Sequence, residues 1–186
     1  MKRFSDVVLA TLLVVVTCVP MIMIAVWIKY DSPGPIIFKQ KRAGQHHQNF
    51  YIWKFRTMYI NTPNVATDAL ANHAQYITPS GRFLRKTSLD ELPQLINIIR
   101  GDMSFVGPRP ALYTQYELIE MREMCNIESV KPGLTGYAQI NGRDFITDEQ
   151  KVYYDQYYVE HRGWRLDCYI MFHTFIRVLA TRDIKS

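Results

Sequence analysis

The most conspicuous pattern in the chain is a run of 22 residues, Val7 to Ile28, without a charge. As a helix it would be about 33 Å long, enough to cross a bilayer core. A secretory signal is the bland alternative, but the run exceeds the usual apolar length of a signal and no small-x-small cleavage site follows it. Basic residues flank it on both sides, Lys2 and Arg3 before and Lys29 after. That symmetry suits a segment whose two ends lie on the cytoplasmic face better than a single crossing. Pro20 falls two-thirds along and predicts a kink or break, because it removes a backbone hydrogen bond and crowds the preceding turn. A re-entrant broken helix and a kinked crossing are both open at this point.

Beyond this segment the pattern changes. Asp31-Ser32-Pro33-Gly34-Pro35 is a turn cluster and a natural boundary, giving a membrane-embedded segment 1–30 and a second domain, 31–186. Ile36–Lys41 and Phe50–Met58 are rich in β-branched and aromatic residues and predict a β-hairpin. Asn61–Asn72 reads as a loop or short helix. Helical patterns begin at Ser88 and run to Ile99 or Arg100 with Gly101 as the stop, cover Ala111–Met124, and return at Asp148–His161. Lys131-Pro132-Gly133 and Asn141-Gly142-Arg143 read as loops. Trp164–Ala180 is aromatic and basic, and is either an interfacial helix or an ordinary core helix. The expected fold is α+β and predominantly helical.

Composition adds little except through charge. Three separated cysteines, Cys18, Cys125 and Cys168, have no metal or disulfide spacing. Between Ile36 and Arg109 ten Lys/Arg face four Asp/Glu, a net of +6, whereas Pro110 to Ser186 carries nine against eleven, a net of −2. A concentrated positive excess points to an anionic partner: phosphate, nucleic acid or acidic lipid.

Within that basic stretch lies the pair Asp90-Glu91. Ser88 with Glu91 three later also reads as a capping box. Pro93 disturbs a helix begun at Ser88, however, and Arg82, Arg85, Lys86, Arg100 and Arg109 surround the pair in sequence. Such cations would keep a carboxylate ionised, as a nucleophile at phosphorus or a magnesium ligand must be. Adjacent carboxylates on a helix diverge by about 100°, which is poor geometry for flanking a glycosidic bond. Gly107-Pro108-Arg109-Pro110 is a stiff turn that would aim Arg109, and arginine binds phosphate oxygens in pairs. Lys54 and Arg56, two apart on a strand, are further candidate phosphate contacts. At the amino terminus, Arg3 and Asp6 are three apart on a helix and can pair, presenting the arginine to a lipid phosphate.

Taken in order, these residues resemble the bacterial sugar transferase family of monotopic polyprenyl-phosphate phosphoglycosyl transferases. The resemblance rests on Lys2-Arg3-x-x-Asp6, the proline-interrupted apolar segment, Ser32-Pro33-Gly34-Pro35 and Lys54-Phe55-Arg56-Thr57-Met58. It continues through Arg85-x-x-Ser88-Leu89-Asp90-Glu91-Leu92-Pro93, Gly101 to Pro110, Lys131 to Gly136 and Asn141-Gly142-Arg143. The family usually has Ser-Pro at the helix break, where this chain has Val19-Pro20. The resemblance implies that Asp90 is the nucleophile, that Glu91 binds Mg2+, and that Arg85, Arg109, Lys54, Arg56 and Arg143 serve the nucleotide phosphates. It implies that Lys2, Arg3 and Asp6 meet the lipid phosphate. The expected reaction moves a sugar-1-phosphate from a UDP-sugar to undecaprenyl phosphate with release of UMP, opening capsule, O-antigen or glycoconjugate synthesis. The closest subgroup suggests a UDP-N-acetyl-deoxyhexosamine. The expected location is the bacterial inner membrane with the catalytic domain on the cytoplasmic face. Expected partners are the two substrates and membrane lipid, with no nucleic acid; a homodimer is compatible. Two other readings stand beside it: a membrane-tethered binder of anionic lipid without catalysis, and a glycosyltransferase that releases UDP.

Overall fold

The computed structural model describes residues 2–63, 73–142 and 146–179. It is α+β and mainly helical, as the pattern predicts. Helix α1 spans Lys2–Asp31. An antiparallel hairpin follows, β1 Ile37–Arg42 and β2 Phe50–Phe55, registered from Ile37 opposite Phe55 to Arg42 opposite Phe50. Next come α2 Pro79–Thr87, α3 Gln94–Arg100, β3 Ser104–Val106 and α4 Tyr116–Met124. The order ends with β4 Gly133–Thr135, α5 Tyr137–Asn141, α6 Asp148–His161 and α7 Trp164–Leu179.

Several boundaries have plain chemical causes. Thr78 caps α2 by accepting from the Gly81 amide, with Pro79 at the first helical position. Thr147 and Gln150 form a capping box at the start of α6. Gly101 ends α3 in the left-handed region, at φ 98°. Strands β3 and β4 pair in parallel, Ser104 with Gly133 and Val106 with Thr135. The sequence reading predicts no strand at either segment, since three residues carry no measurable alternation.

Asn97 joins the hairpin to the helices. Its amide donates to the Tyr51 carbonyl at 2.8 Å and accepts from the Trp53 amide at 3.0 Å. It is fully buried, so these bonds satisfy a group whose isolation would be costly. The main core gathers Ala10 of α1, Ile52 of β2, Leu95 and Ile98 of α3, Phe105 and Val106 of β3, and Ile170 of α7.

Helix α1 is long and apolar enough to cross a membrane. It is hydrogen-bonded as one helix through Pro20, which corrects the expected break there. One missing backbone bond is a smaller loss than unpairing a whole turn in an apolar setting. Thr17 bonds the Leu13 carbonyl at 2.7 Å rather than the Val16 carbonyl that Pro20 leaves free. Both ends of α1 dock on the same body. Near the start, Arg3 donates to the carbonyls of Ile98 and Ile99, and Ser104 donates to Asp6 at 2.8 Å. Lys2 pairs with Asp167 of α7 at 2.5 Å. At the other end, Ile24 and Ile28 pack with Phe55 and Leu84, and Asp31 accepts from the Ser80 hydroxyl at 2.7 Å. The outward side of α1 shows Val8, Leu12, Val15, Val19, Ile22, Met23 and Val26, all exposed. Helix α7 likewise exposes Trp164, Tyr169, Phe172, Phe175 and Ile176 while burying Ile170.

Candidate active site

The carboxylate pair sits on a single tight turn, Leu89–Glu91, between α2 and α3. Ser88 does not cap a helix. It adopts the left-handed conformation at φ 57° and ends α2 through a bond from its amide to the Arg85 carbonyl. Non-glycine residues in that region are held there by their surroundings and gather at functional sites. Pro93 then starts α3. The capping-box reading therefore fails, and the turn is free to present both acids to a cavity of about 670 Å³.

The cavity lies between the hairpin, this turn and the Pro108-Arg109-Pro110 segment, and its walls include Lys54, Thr57, Arg85 and Arg109. Lys54 and Arg109 both bond Oε1 of Glu91, at 2.7 Å and 3.0 Å. Oε2 of Glu91 has no protein partner among the described residues. Burial pushes the Glu91 carboxyl up, but Lys54 and Arg109 outweigh it and hold the group well below the usual carboxylate range. Asp90 is buried at 8% exposure, and neither of its oxygens accepts a hydrogen bond from the described residues. Burial raises its pKa, Lys54 opposes that, Glu91 adds to it, and Arg85 and Arg109 oppose it, leaving a net rise. The two acids are thus unequal: Glu91 is firmly anionic, and Asp90 is a more basic carboxylate that accepts no hydrogen bond from the described residues. The cations oppose this rise, as the sequence leads one to expect, but desolvation, which sequence does not report, outweighs them.

Arg85 donates to the Thr57 hydroxyl at 2.9 Å and faces Asp90 electrostatically. Lys54, Arg85 and Arg109 therefore meet at the dyad as expected. Arg56 does something else. Its guanidinium is taken up by the Pro33 carbonyl at 2.7 Å, the Ser32 carbonyl at 2.6 Å and the Ser32 hydroxyl at 2.9 Å. It latches the turn after α1 to the end of β2. Gly34, at φ 126°, lies so close that an added Cβ would be 2.0 Å from this guanidinium. Arg3 and Asp6 do not pair with each other; Arg3 caps the carboxy-terminal carbonyls of α3, where a cation also suits the helix dipole. Arg143 lies outside the described residues, as does most of the expected loop Asn61–Asn72.

Arg42 was missed by the sequence reading. The hairpin register places Arg42 opposite Phe50 and Gln40 opposite Ile52, so Arg42, Gln40 and Lys54 share one face of the hairpin. The period-2 spacing from Gln40 to Arg42 was the available signal.

Among the described residues no cluster of three or more His, Cys, Asp or Glu side chains is placed to hold a metal. Magnesium commonly keeps several waters and binds through one or two carboxylates plus substrate phosphates. The open Oε2 of Glu91 beside Asp90 fits that donor set.

A carboxylate pair ringed by cations thus lines one cavity of a chain that also carries a helix long and apolar enough to cross a membrane. The family model for bacterial sugar transferases matches residues 1–181, and the chain belongs to that family. It is 42% identical to the UDP-glucose:undecaprenyl-phosphate glucose-1-phosphate transferase of Escherichia coli (strain K12), across 95% of this chain and 40% of that protein. It is 37% identical to the undecaprenyl-phosphate galactose phosphotransferase of Salmonella typhimurium, across 98% of this chain and 41% of that protein. An uncharacterized sugar transferase of Bacillus subtilis, EpsL, is 38% identical across all of this chain and 91% of its own length. The chain thus spans about two-fifths of the first and second of these relatives.

Proposed function

We propose that the protein transfers a sugar-1-phosphate from a UDP-sugar to undecaprenyl phosphate at the bacterial inner membrane, its catalytic domain on the cytoplasmic face. The observation that carries this reading is the buried Asp90 carboxylate, which accepts no hydrogen bond from the described residues and faces a cavity lined by Lys54, Arg85 and Arg109. An oxygen of Asp90 attacks the sugar-bearing phosphorus. The bond from that phosphorus to the bridging oxygen breaks, its electron pair stays on the bridging oxygen, and UMP departs. The aspartyl phosphosugar is then attacked by an oxygen of the lipid phosphate, and the bond to Asp90 breaks to restore the carboxylate. One site thereby serves a soluble and a lipid substrate in turn. Lys54, Arg85 and Arg109 neutralise charge on the transferring group and orient it. Glu91 would hold magnesium through Oε2; when bound, the ion adds further neutralisation on the phosphate oxygens.

Membrane placement follows from α1. Both its ends are tied to one body, so a straight crossing would carry part of that body through the bilayer. We place segment 1–30 within one leaflet, its exposed apolar side toward lipid, with the outer side of α7 at the interface. Lys2, Arg3 and Asp6 then lie at headgroup level, near the entry of the lipid phosphate.

The test is nucleotide release in detergent with Mg2+, undecaprenyl phosphate and a panel of UDP-sugars. Names of the relatives point to UDP-glucose and to a galactose donor; a UDP-N-acetyl-deoxyhexosamine is the third to include. UMP release that needs the lipid for repeated turnover, and that is lost in Asp90→Asn and Glu91→Gln, is the expected result. UDP release, or near-normal turnover by either variant, would overturn the reading.

A further inference from the structure

Two arginines hold the segment that carries Arg109, and they differ in one respect. Prolines at 108 and 110 have no amide hydrogen, so the strap is held through its carbonyls. The Gly133 amide donates to the Pro108 carbonyl at 2.9 Å. Arg122 donates to the Arg109 carbonyl at 2.9 Å, and Arg42 donates to the Pro110 carbonyl at 3.0 Å. Arg122 is neutralised by the buried Asp155 at 2.6 Å. Arg42 has no carboxylate within ion-pair distance among the described residues; its second nitrogen donates to the neutral Gln40 side chain at 2.6 Å.

A largely buried cation without a counter-ion is expensive, and nothing about holding one carbonyl requires the charge. Burial and then repulsion from Arg109 bring the Arg42 guanidinium down to about 10, with Glu91 partly opposing. Arg42 also lines the cavity that holds the dyad. Its position there is informative. The charges that act on Arg42 are those of Arg109 and Glu91, whereas Arg85 acts on Asp90. Arg85, Asp90, Glu91, Lys54, Arg109 and Arg42 all line that one cavity, and Arg42 shares its face of the hairpin with Lys54.

We infer that Arg42 receives the phosphate of the departing nucleotide. This rests on the proposed reaction. When Asp90 bonds to the sugar-bearing phosphorus and the bridging P–O bond breaks, the electron pair moves to an oxygen of UMP. That new charge arises where Arg42 has an uncommitted positive charge, and no proton need move. Arg85 stays with the phosphosugar on Asp90.

The experiment measures equilibrium binding of UMP to the full chain in detergent, with uridine competition as the phosphate-free control. It compares wild type, Arg42→Gln and Arg42→Lys, with thermal unfolding recorded for each. The expected result is UMP affinity about ten- to hundredfold weaker in Arg42→Gln, since charge-assisted bonds are the strong ones. Arg42→Lys recovers part of it, and uridine is unaffected. If Arg42→Gln does not fold, Arg42→Lys alone must weaken UMP and spare uridine. Unchanged UMP affinity in a folded variant, or equal weakening of UMP and uridine, would overturn the assignment. Wild-type nucleotide release is run alongside: release of UDP defeats the reaction itself, whereas UMP release with normal UMP binding by Arg42→Gln defeats only the role of Arg42.

Discussion

The pair Arg122–Asp155 offers the sharpest energetic test of how the site is supported. Asp155 on α6 is 1% exposed and its partner Arg122 on α4 is 12% exposed, at 2.6 Å. Burial pushes the Asp155 carboxyl up and Arg122 draws it back only in part. Asp155→Ala would strand the Arg122 guanidinium in the interior. Breaking one side of a buried pair costs about 3–5 kcal/mol. For a domain of this size each kcal/mol lowers the melting temperature by about 2–4 °C, so a fall of about 6–20 °C is expected. The double replacement Arg122→Met with Asp155→Leu removes both charges and keeps the volume, and should unfold near the wild-type temperature or above it. The double variant, unlike Asp155→Ala, also removes the donor to the Arg109 carbonyl. With that bond worth about 1 kcal/mol, activity should drop about fivefold even in the stable double variant. The assay is thermal unfolding in one detergent and lipid mixture, paired with UMP release under the same conditions. A loss under about 3 °C in Asp155→Ala, or a double variant as unstable as the single, would refute the reasoning.

Two further outcomes are expected. The acid limb of kcat/KM, which reports the free enzyme, should lie above the ordinary aspartate range, because burial raises the Asp90 pKa and only the ionised form attacks. Lys54→Gln removes the leading opposing charge and should move that limb to still higher pH; a limb at or below the ordinary range, or one that Lys54→Gln leaves in place, would contradict it. Arg56→Gln should lower stability by about 2–4 kcal/mol through loss of its bonds to Ser32 and Pro33, while UMP affinity changes less than twofold. A selective loss of nucleotide binding at full stability would return Arg56 to the phosphate contacts.

Much of this protein is legible locally. The apolar run, the β-branched and aromatic hairpin strands and the periodic helix Asp148–His161 follow from short-range pattern, because burial on one face imposes a period that each element carries by itself. The dyad was equally visible, since two acids in a basic stretch stand out without any knowledge of contacts. What sequence could not separate is which cation serves substrate and which serves the fold. Lys54 and Arg56 are two residues apart, yet one bonds Glu91 and the other the turn at Ser32. Arg3 and Asp6 looked like a pair, but each bonds a segment more than ninety residues distant. The parallel pairing of β3 with β4 and the desolvation of Asp90 also depend on elements far apart in the chain. Local pattern determines which surface an element must bury. Only the packed chain decides which partners each charge meets and how much water is left around it, and those two quantities set the chemistry of the site.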